Sequence, residues 1–161
     1  MMSSGTDLAN SAWEAVYRAQ ATISRELIDL DIWEGLTRRE YAVLMALAAE
    51  SDGLRVTELG QDVLITQPGM SKLVGRLVGR GLVERCDDDD GRARRVRLTA
   101  AGARLQSDVG AAIAAAVERI MSRALSQAQQ QQLRDLAATL LAGASSPYAT
   151  IQQKALKRRT R

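Results

Sequence analysis

The sequence predicts a mainly α-helical fold carrying one small β hairpin. Three observations carry that expectation. Both ends of the chain repeat apolar residues at helical spacing over long stretches. Between them lie two short helical patterns separated by Leu64-Ile65. Directly behind those come two short β-type runs flanking a charged turn, Asp87 to Arg95, that contains Gly91. Two helices joined by a tight turn and followed at once by a hairpin make a winged helix-turn-helix, here set between N-terminal and C-terminal helices.

The elements follow in order. Residues 6–30 read as an amphipathic helix, with Leu8, Ala12, Ala15, Val16, Ala19, Ile23, Leu27 and Leu30 on one stripe. Ser11-x-x-Glu14 has capping-box spacing, with Thr6 or Asp7 as earlier starts. Residues 31–35 connect to a clearer capping box, Thr37-x-x-Glu40, which opens a helix to about Glu50. Tyr41, Val43, Leu44, Leu47 and Ala48 form its inner side. Ser51-Asp52-Gly53 breaks the chain, and Leu54-Arg55 is placed to add a very short strand to the hairpin sheet.

Val56, Leu59 and Val63 mark the next short helix, and Leu64-Ile65 is its exit turn. Thr66 is expected to cap the following helix, its hydroxyl accepting an orphan N–H. Met70, Leu73, Val74 and Leu77 form that helix's inner face, and Gly81 is placed to close it in the left-handed conformation. Leu82–Cys86 and Val96–Thr99 read as the hairpin strands. Thr99 caps a helix to about Ala124, with Leu105, Val109, Ala112, Ile113, Ala116, Val117, Ile120 and Met121 as its apolar set. Ser126-x-x-Gln129 caps a last helix through Leu133, Leu136, Leu140 and Leu141, ending near Gly143.

Composition narrows the functions. The 161 residues suffice for one domain with a core. No apolar run approaches the ~18 residues of a membrane span, and Met-Met-Ser-Ser-Gly-Thr-Asp lacks the pattern of a secretory signal. A single cysteine excludes an internal disulfide and fits a reducing cytosol, so a cytoplasmic protein is expected. The chain has no histidine, the commonest metal ligand and general base. With no nucleophile motif or phosphate loop either, neither an enzyme nor a metal or cofactor is expected. The net charge of +3 does not announce a nucleic-acid binder. The local charge does, because arginines crowd the hairpin and the helix before it, and Lys154, Lys157, Arg158, Arg159 and Arg161 end the chain.

The outer face of the second short helix carries the candidate DNA contacts: Thr66, Gln67, Gly69, Ser71, Lys72 and Arg76, with Gly75 and Arg80 beside them. Short polar groups lead and basic groups follow. That order suits a helix entering the major groove end-first, with small polar side chains at base edges and cations at phosphates. The alternative is a merely solvated face. At the hairpin tip Arg92 is the candidate for minor-groove insertion, with Asp90 orienting it; Arg94 and Arg95 are candidates for phosphate contacts. The four consecutive aspartates from Asp87 would repel phosphates unless neighbouring arginines neutralise them.

The terminal helices carry more apolar stripe than a lobe of this size covers, so a homodimer is expected. Its two-fold axis would set two reading helices about one DNA turn apart, on a pseudo-palindrome. The expected organisation is an N-terminal dimerisation helix in 1–35, a DNA-binding lobe in 36–99, C-terminal dimerisation helices in 100–143 and a basic tail in 144–161.

The segment from Leu36-Thr37 to Gly102 resembles the MarR family of winged helix-turn-helix regulators. The matching pieces are Leu36-Thr37…Tyr41-x-Val43-Leu44-x-x-Leu47, Val56-Thr57-Glu58-Leu59, Ser71-Lys72-Leu73-Val74-x-Arg76-Leu77-x-x-Arg80-Gly81-Leu82-Val83-Glu84-Arg85, Asp87-x-x-Asp90-x-Arg92-Ala93 and Val96-Arg97-Leu98-Thr99-x-x-Gly102. Pro68 and Gly69 depart from the small hydroxyl residues usual in the family. The resemblance implies a ligand-responsive repressor that binds double-stranded DNA as a homodimer. It also implies that the N-terminal helix packs on the partner's C-terminal helices, and that a small aromatic or phenolic effector binds between those helices and the DNA-binding lobe. Trp13, Trp33 and Tyr41 are the candidate lining, with Arg25 or Arg18 meeting an anionic group; ordinary core packing is the competing reading. Three other readings stay open: a nonspecific or architectural DNA binder, a protein-interaction module, and a thiol sensor through Cys86. The last is disfavoured because redox-sensing relatives carry their cysteine in the N-terminal helix.

Overall fold

The computed structural model describes residues 4–63, 66–87 and 94–144. The elements run α1 (Ser4–Ile28), α2 (Arg38–Ala48), β1 (Leu54–Arg55), α3 (Val56–Val63), α4 (Gln67–Gly79), β2 (Val83–Asp87), β3 (Arg94–Leu98), α5 (Ala100–Ala124) and α6 (Gln127–Gly143). The three strands form one antiparallel sheet in the order β1-β3-β2. Its register pairs Leu54 with Val96 and Arg85 with Val96 from the other side. Mainly helical with a small sheet, this is the winged helix-turn-helix the sequence predicts. The turn at Leu64-Ile65, the hairpin tip and the basic tail after Ala144 lie outside the described residues.

The core sits in the winged lobe. Val43, Leu44 and Leu47 of α2, Leu59 of α3, and Met70, Leu73, Val74 and Leu77 of α4 bury against Val83, Val96 and Val109. Each predicted inner-face residue of α4 is buried, because positions 70, 73, 74 and 77 recur on one side of a 3.6-residue helix. α4 ends in a Schellman motif: Gly81 N–H donates to the Val78 carbonyl (2.9 Å) and Leu82 N–H to the Leu77 carbonyl (3.0 Å). Gly81 holds the left-handed φ of 68° that this closure requires. Gly53 makes the break before β1 at φ 75°, and a Cβ there would run into the Val96 carbonyl.

Both strongest capping boxes form, at Thr37/Glu40 and Ser126/Gln129, and Thr99 caps α5 by accepting from Gly102 N–H (3.0 Å). Three local expectations are corrected. Thr66 occupies the N-cap of α4 but makes no side-chain cap bond. Pro68 follows two positions later without an N–H, so one of the two donors a capping hydroxyl uses is missing. Ser11 opens no helix, since α1 already starts at Ser4; its hydroxyl donates to the Leu8 carbonyl (2.9 Å). β3 begins at Arg94, earlier than the apolar residues suggest, because Arg94 and Arg95 pair with Asp87 and Cys86 in the ladder.

The terminal helices differ from the lobe. Side chains 5–22 of α1 are all exposed, and α6 buries none. α5 buries Val109, Ala116 and Ile120.

Candidate nucleic-acid interface

α4 divides cleanly between core and solvent. Thr66, Gln67, Ser71, Lys72 and Arg76 are exposed, and Gly69 is half-exposed. The six helix candidates thus all lie outside the buried stripe of α4. Pro at the second helical position costs no internal bond there, so Thr66, Gln67 and Gly69 stay in a regular first turn.

The basic half of this face is braced from α2. Glu40 is the one buried charged side chain among the described residues, 5% exposed. Its Oε2 accepts from Thr37 N–H (2.8 Å) and Thr37 Oγ1 (2.9 Å), completing the capping box. Its Oε1 accepts from Arg76 Nε at 3.4 Å, and Arg80 Nη1 stands 3.9 Å from Oε2. Arg80 Nη1 also donates to the Gly35 carbonyl (3.1 Å). Burial pushes the Glu40 carboxyl up, but the hydrogen bonds from Thr37 and Arg76 together with the Arg76 charge outweigh it and hold Glu40 below the ordinary carboxylate value. The sequence offered Glu40 as a capping residue only. Its pairing with Arg76, 36 positions away, arises from the packing of α4 across α2.

The hairpin strands carry Arg85, Arg94, Arg95 and Arg97. Arg94 aligns with Asp87 in the ladder, while Asp90 and Arg92 lie outside the described residues. Arg95 is used inside the protein: Nε donates to the Asp52 carbonyl and Nη2 to the Gly53 carbonyl, both at 3.1 Å. It pins the turn before β1 to the hairpin, a task invisible in the sequence. Arg97 pairs with Glu84 across the strands at 2.6 Å. Cys86 is half-buried, its Sγ donating to the Arg95 carbonyl at 3.8 Å.

The four effector candidates do not converge within one chain. Trp33 and Tyr41 meet edge-on, centroids 6.1 Å apart at 82°, and Trp33 Nε1 donates to the Leu27 carbonyl (2.7 Å). Trp13 is 65% exposed and instead meets Tyr17 in a tilted pair, centroids 6.5 Å apart at 33°. Arg25 lines an open cleft of about 580 Å³ together with Ser24, Ile28, Asp29 and Arg38. Arg18 pairs with Glu14 at 2.6 Å. A second cleft of about 410 Å³, between Asp31, Ile32 and Glu34 and the Leu105–Ala112 stretch of α5, was not anticipated. Its lining comes from two distant segments and leaves no local signal. Among the described residues no group of three or more acidic, cysteine or histidine ligands is set to hold a metal. No described helix is long and apolar enough to cross a membrane.

A buried three-helix core, a polar helix face and an adjoining hairpin define a winged helix-turn-helix protein. Residues 34–94, the winged lobe, match the MarR family model. No curated protein matches the sequence. Among solved structures, the PcaV transcriptional regulator from Streptomyces coelicolor, in complex with its natural ligand, is 27% identical, with a TM-score of 0.62 over 90% of this chain and 99% of its own. A MarR family transcriptional regulator from Silicibacter pomeroyi is 25% identical, with a TM-score of 0.67 over 91% of this chain and 99% of its own. Sco3205, a MarR family transcriptional regulator from Streptomyces coelicolor in complex with DNA, shares the fold at 24% identity and a TM-score of 0.72, covering 91% and 92% of the two chains.

Proposed function

We propose that this chain is a sequence-specific DNA-binding transcriptional regulator, a repressor that binds a pseudo-palindromic operator as a homodimer and is released by a small molecule. The observation that carries the reading is the division of α4. Met70, Leu73, Val74 and Leu77 are buried while Gln67, Ser71, Lys72 and Arg76 stand in solvent. Thr66, Gln67, Gly69 and Ser71 read base edges in this scheme; Lys72, Arg76 and Arg94 meet phosphates, and Arg92, oriented by Asp90, enters the minor groove. Arg95 contributes by holding the hairpin root. The same fold is found on DNA in the Sco3205 complex.

Dimerisation rests on the apolar side chains left in solvent on the terminal helices: Leu8, Val16, Leu133, Leu136 and Leu140. An effector would lodge between α1 and the winged lobe; that a small molecule acts at all is supported by PcaV, which is similar in fold and was solved with its natural ligand. Arg25 and Arg38 would meet an anionic group in the cleft they share, with Trp33, Tyr41 and a partner-contributed Trp13 as aromatic neighbours. A ligand preferring one spacing of the two lobes shifts DNA affinity by its differential binding.

The test is binding of the purified protein to its own upstream intergenic DNA at two salt concentrations, with random duplex as competitor. A complex that survives the competitor supports the specific regulator. Equal affinity for random DNA would replace it with an architectural binder.

A further inference from the structure

We propose that Glu40 is a positioning residue for DNA binding: it grips Arg76 by Nε and so presents that residue's outer guanidinium edge to a phosphate. The inference rests on α4 being the DNA-facing helix. A guanidinium has five donors in a planar fork, and two adjacent donors on one edge match the oxygens of a phosphate. Glu40 Oε1 accepts from Arg76 Nε at 3.4 Å, so the carboxylate takes the Nε donor, and the donors left for a phosphate are those of the two terminal nitrogens. The Arg76 side chain is 57% exposed, against 7% for that of Glu40. The cation therefore stands in solvent while its anchor is inside.

The anchor is itself fixed. Glu40 Oε2 is occupied by the Thr37 capping bonds and faces Arg80, while Oε1 is the oxygen that receives Arg76. Arg80 is held in turn by the Gly35 carbonyl. The carboxylate cannot swing towards solvent without breaking the cap of α2, and at neutral pH it stays charged. A long side chain on a DNA-binding face ordinarily loses rotamer freedom when it binds. Here part of that ordering precedes DNA. A carboxylate beside a phosphate site would otherwise weaken it, but Glu40 lies behind the guanidinium and is buried.

The experiment compares wild type, Glu40→Gln, Arg76→Lys and Arg76→Ala on a mixed-sequence duplex across a salt series, because phosphate contacts need no operator. Glutamine still serves a capping box, so circular dichroism should show the wild-type fold. Glu40→Gln is expected to bind about tenfold more weakly, with the slope of log K against log salt shallower by about 0.9, one phosphate's worth. Arg76→Lys is expected to lose as much, since an ammonium cannot be gripped and still offer a two-donor edge. Glu40→Gln should add little to Arg76→Ala. The Arg76 Nε–H resonance should lose its protection in Glu40→Gln without DNA present.

Unchanged or tighter binding by Glu40→Gln would overturn the inference, the second outcome marking Glu40 as a competitor of the phosphate. If Glu40→Gln misfolds, Arg76→Lys decides, and wild-type affinity in that variant is equally fatal. Wild-type protein that binds no duplex even at low salt would sink the DNA reading itself, and this inference with it.

Discussion

At the scale of the residue, the lobe depends on a few side chains that satisfy several neighbours at once. Glu40 is the clearest, capping α2 and bracing α4 with one carboxylate. Its folded-state pKa is lowered, so its contribution to stability is present above the ordinary carboxylate value of ~4.3 and is lost as the pH falls through the folded value. The stability gap between wild type and Glu40→Gln, read by urea denaturation, should therefore be wide at neutral pH and narrow as the pH falls below the ordinary carboxylate value. A gap independent of pH would mean the charge is not what matters. Thr37→Ala removes the other half of the capping box and should cost about 1 kcal/mol in the same assay. Gly102 shows a constraint of space: a Cβ there would run into the Leu82 carbonyl, which also accepts from Thr99 N–H (3.1 Å). Gly102→Ala should destabilise the lobe by roughly 1–3 kcal/mol, whereas a neutral result would show that the α5 start moves freely.

At the scale of the element, what could be read from the sequence was what local chemistry decides. The α2 capping box, the inner face of α4, the left-handed Gly81 and the Thr99 cap each follow from a spacing or a residue type within one turn. Even the two-residue β1 was legible, because Gly53 breaks the chain directly before it. The errors have the same origin. Thr66 has the right identity for a cap, but Pro68 removes a donor it would use, and Ser11-x-x-Glu14 has the right spacing inside a helix already under way. Arg95 and Glu40 have partners about 40 positions away, at 42 and 36, so no local pattern could assign them. α1 and α6 were legible as amphipathic helices, yet much of their stripes remains in solvent, with Leu136 69% and Leu140 61% exposed, while Ile23, Leu27 and Leu141 are half-buried. If those stripes make the dimer, Leu136→Lys with Leu140→Lys should convert it to a monomer in sedimentation velocity while the lobe's circular dichroism stays intact. A variant that sediments as wild type would place the interface elsewhere.

At the scale of the whole molecule, one lobe presents one reading helix, and a single helix face rarely supplies both the affinity and the discrimination a regulator needs. In the proposed dimer, two lobes on a two-fold axis would supply both and would impose a spacing on the target. The labour in that dimer divides physically: α2, α3 and the sheet hold α4, and the terminal helices would set the distance between copies. That account makes its most exposed commitment in the shape of the DNA site. The measurement is a footprint of the purified protein on its own upstream intergenic DNA, with Gln67→Ala/Ser71→Ala as control. Two related half-sites, centred about 34–36 Å or one helical turn apart, protected by wild type and lost in the control at unchanged random-DNA affinity, are the predicted result. A single unpaired site, or protection spread without boundaries and indifferent to Gln67 and Ser71, would contradict a two-fold, sequence-reading regulator.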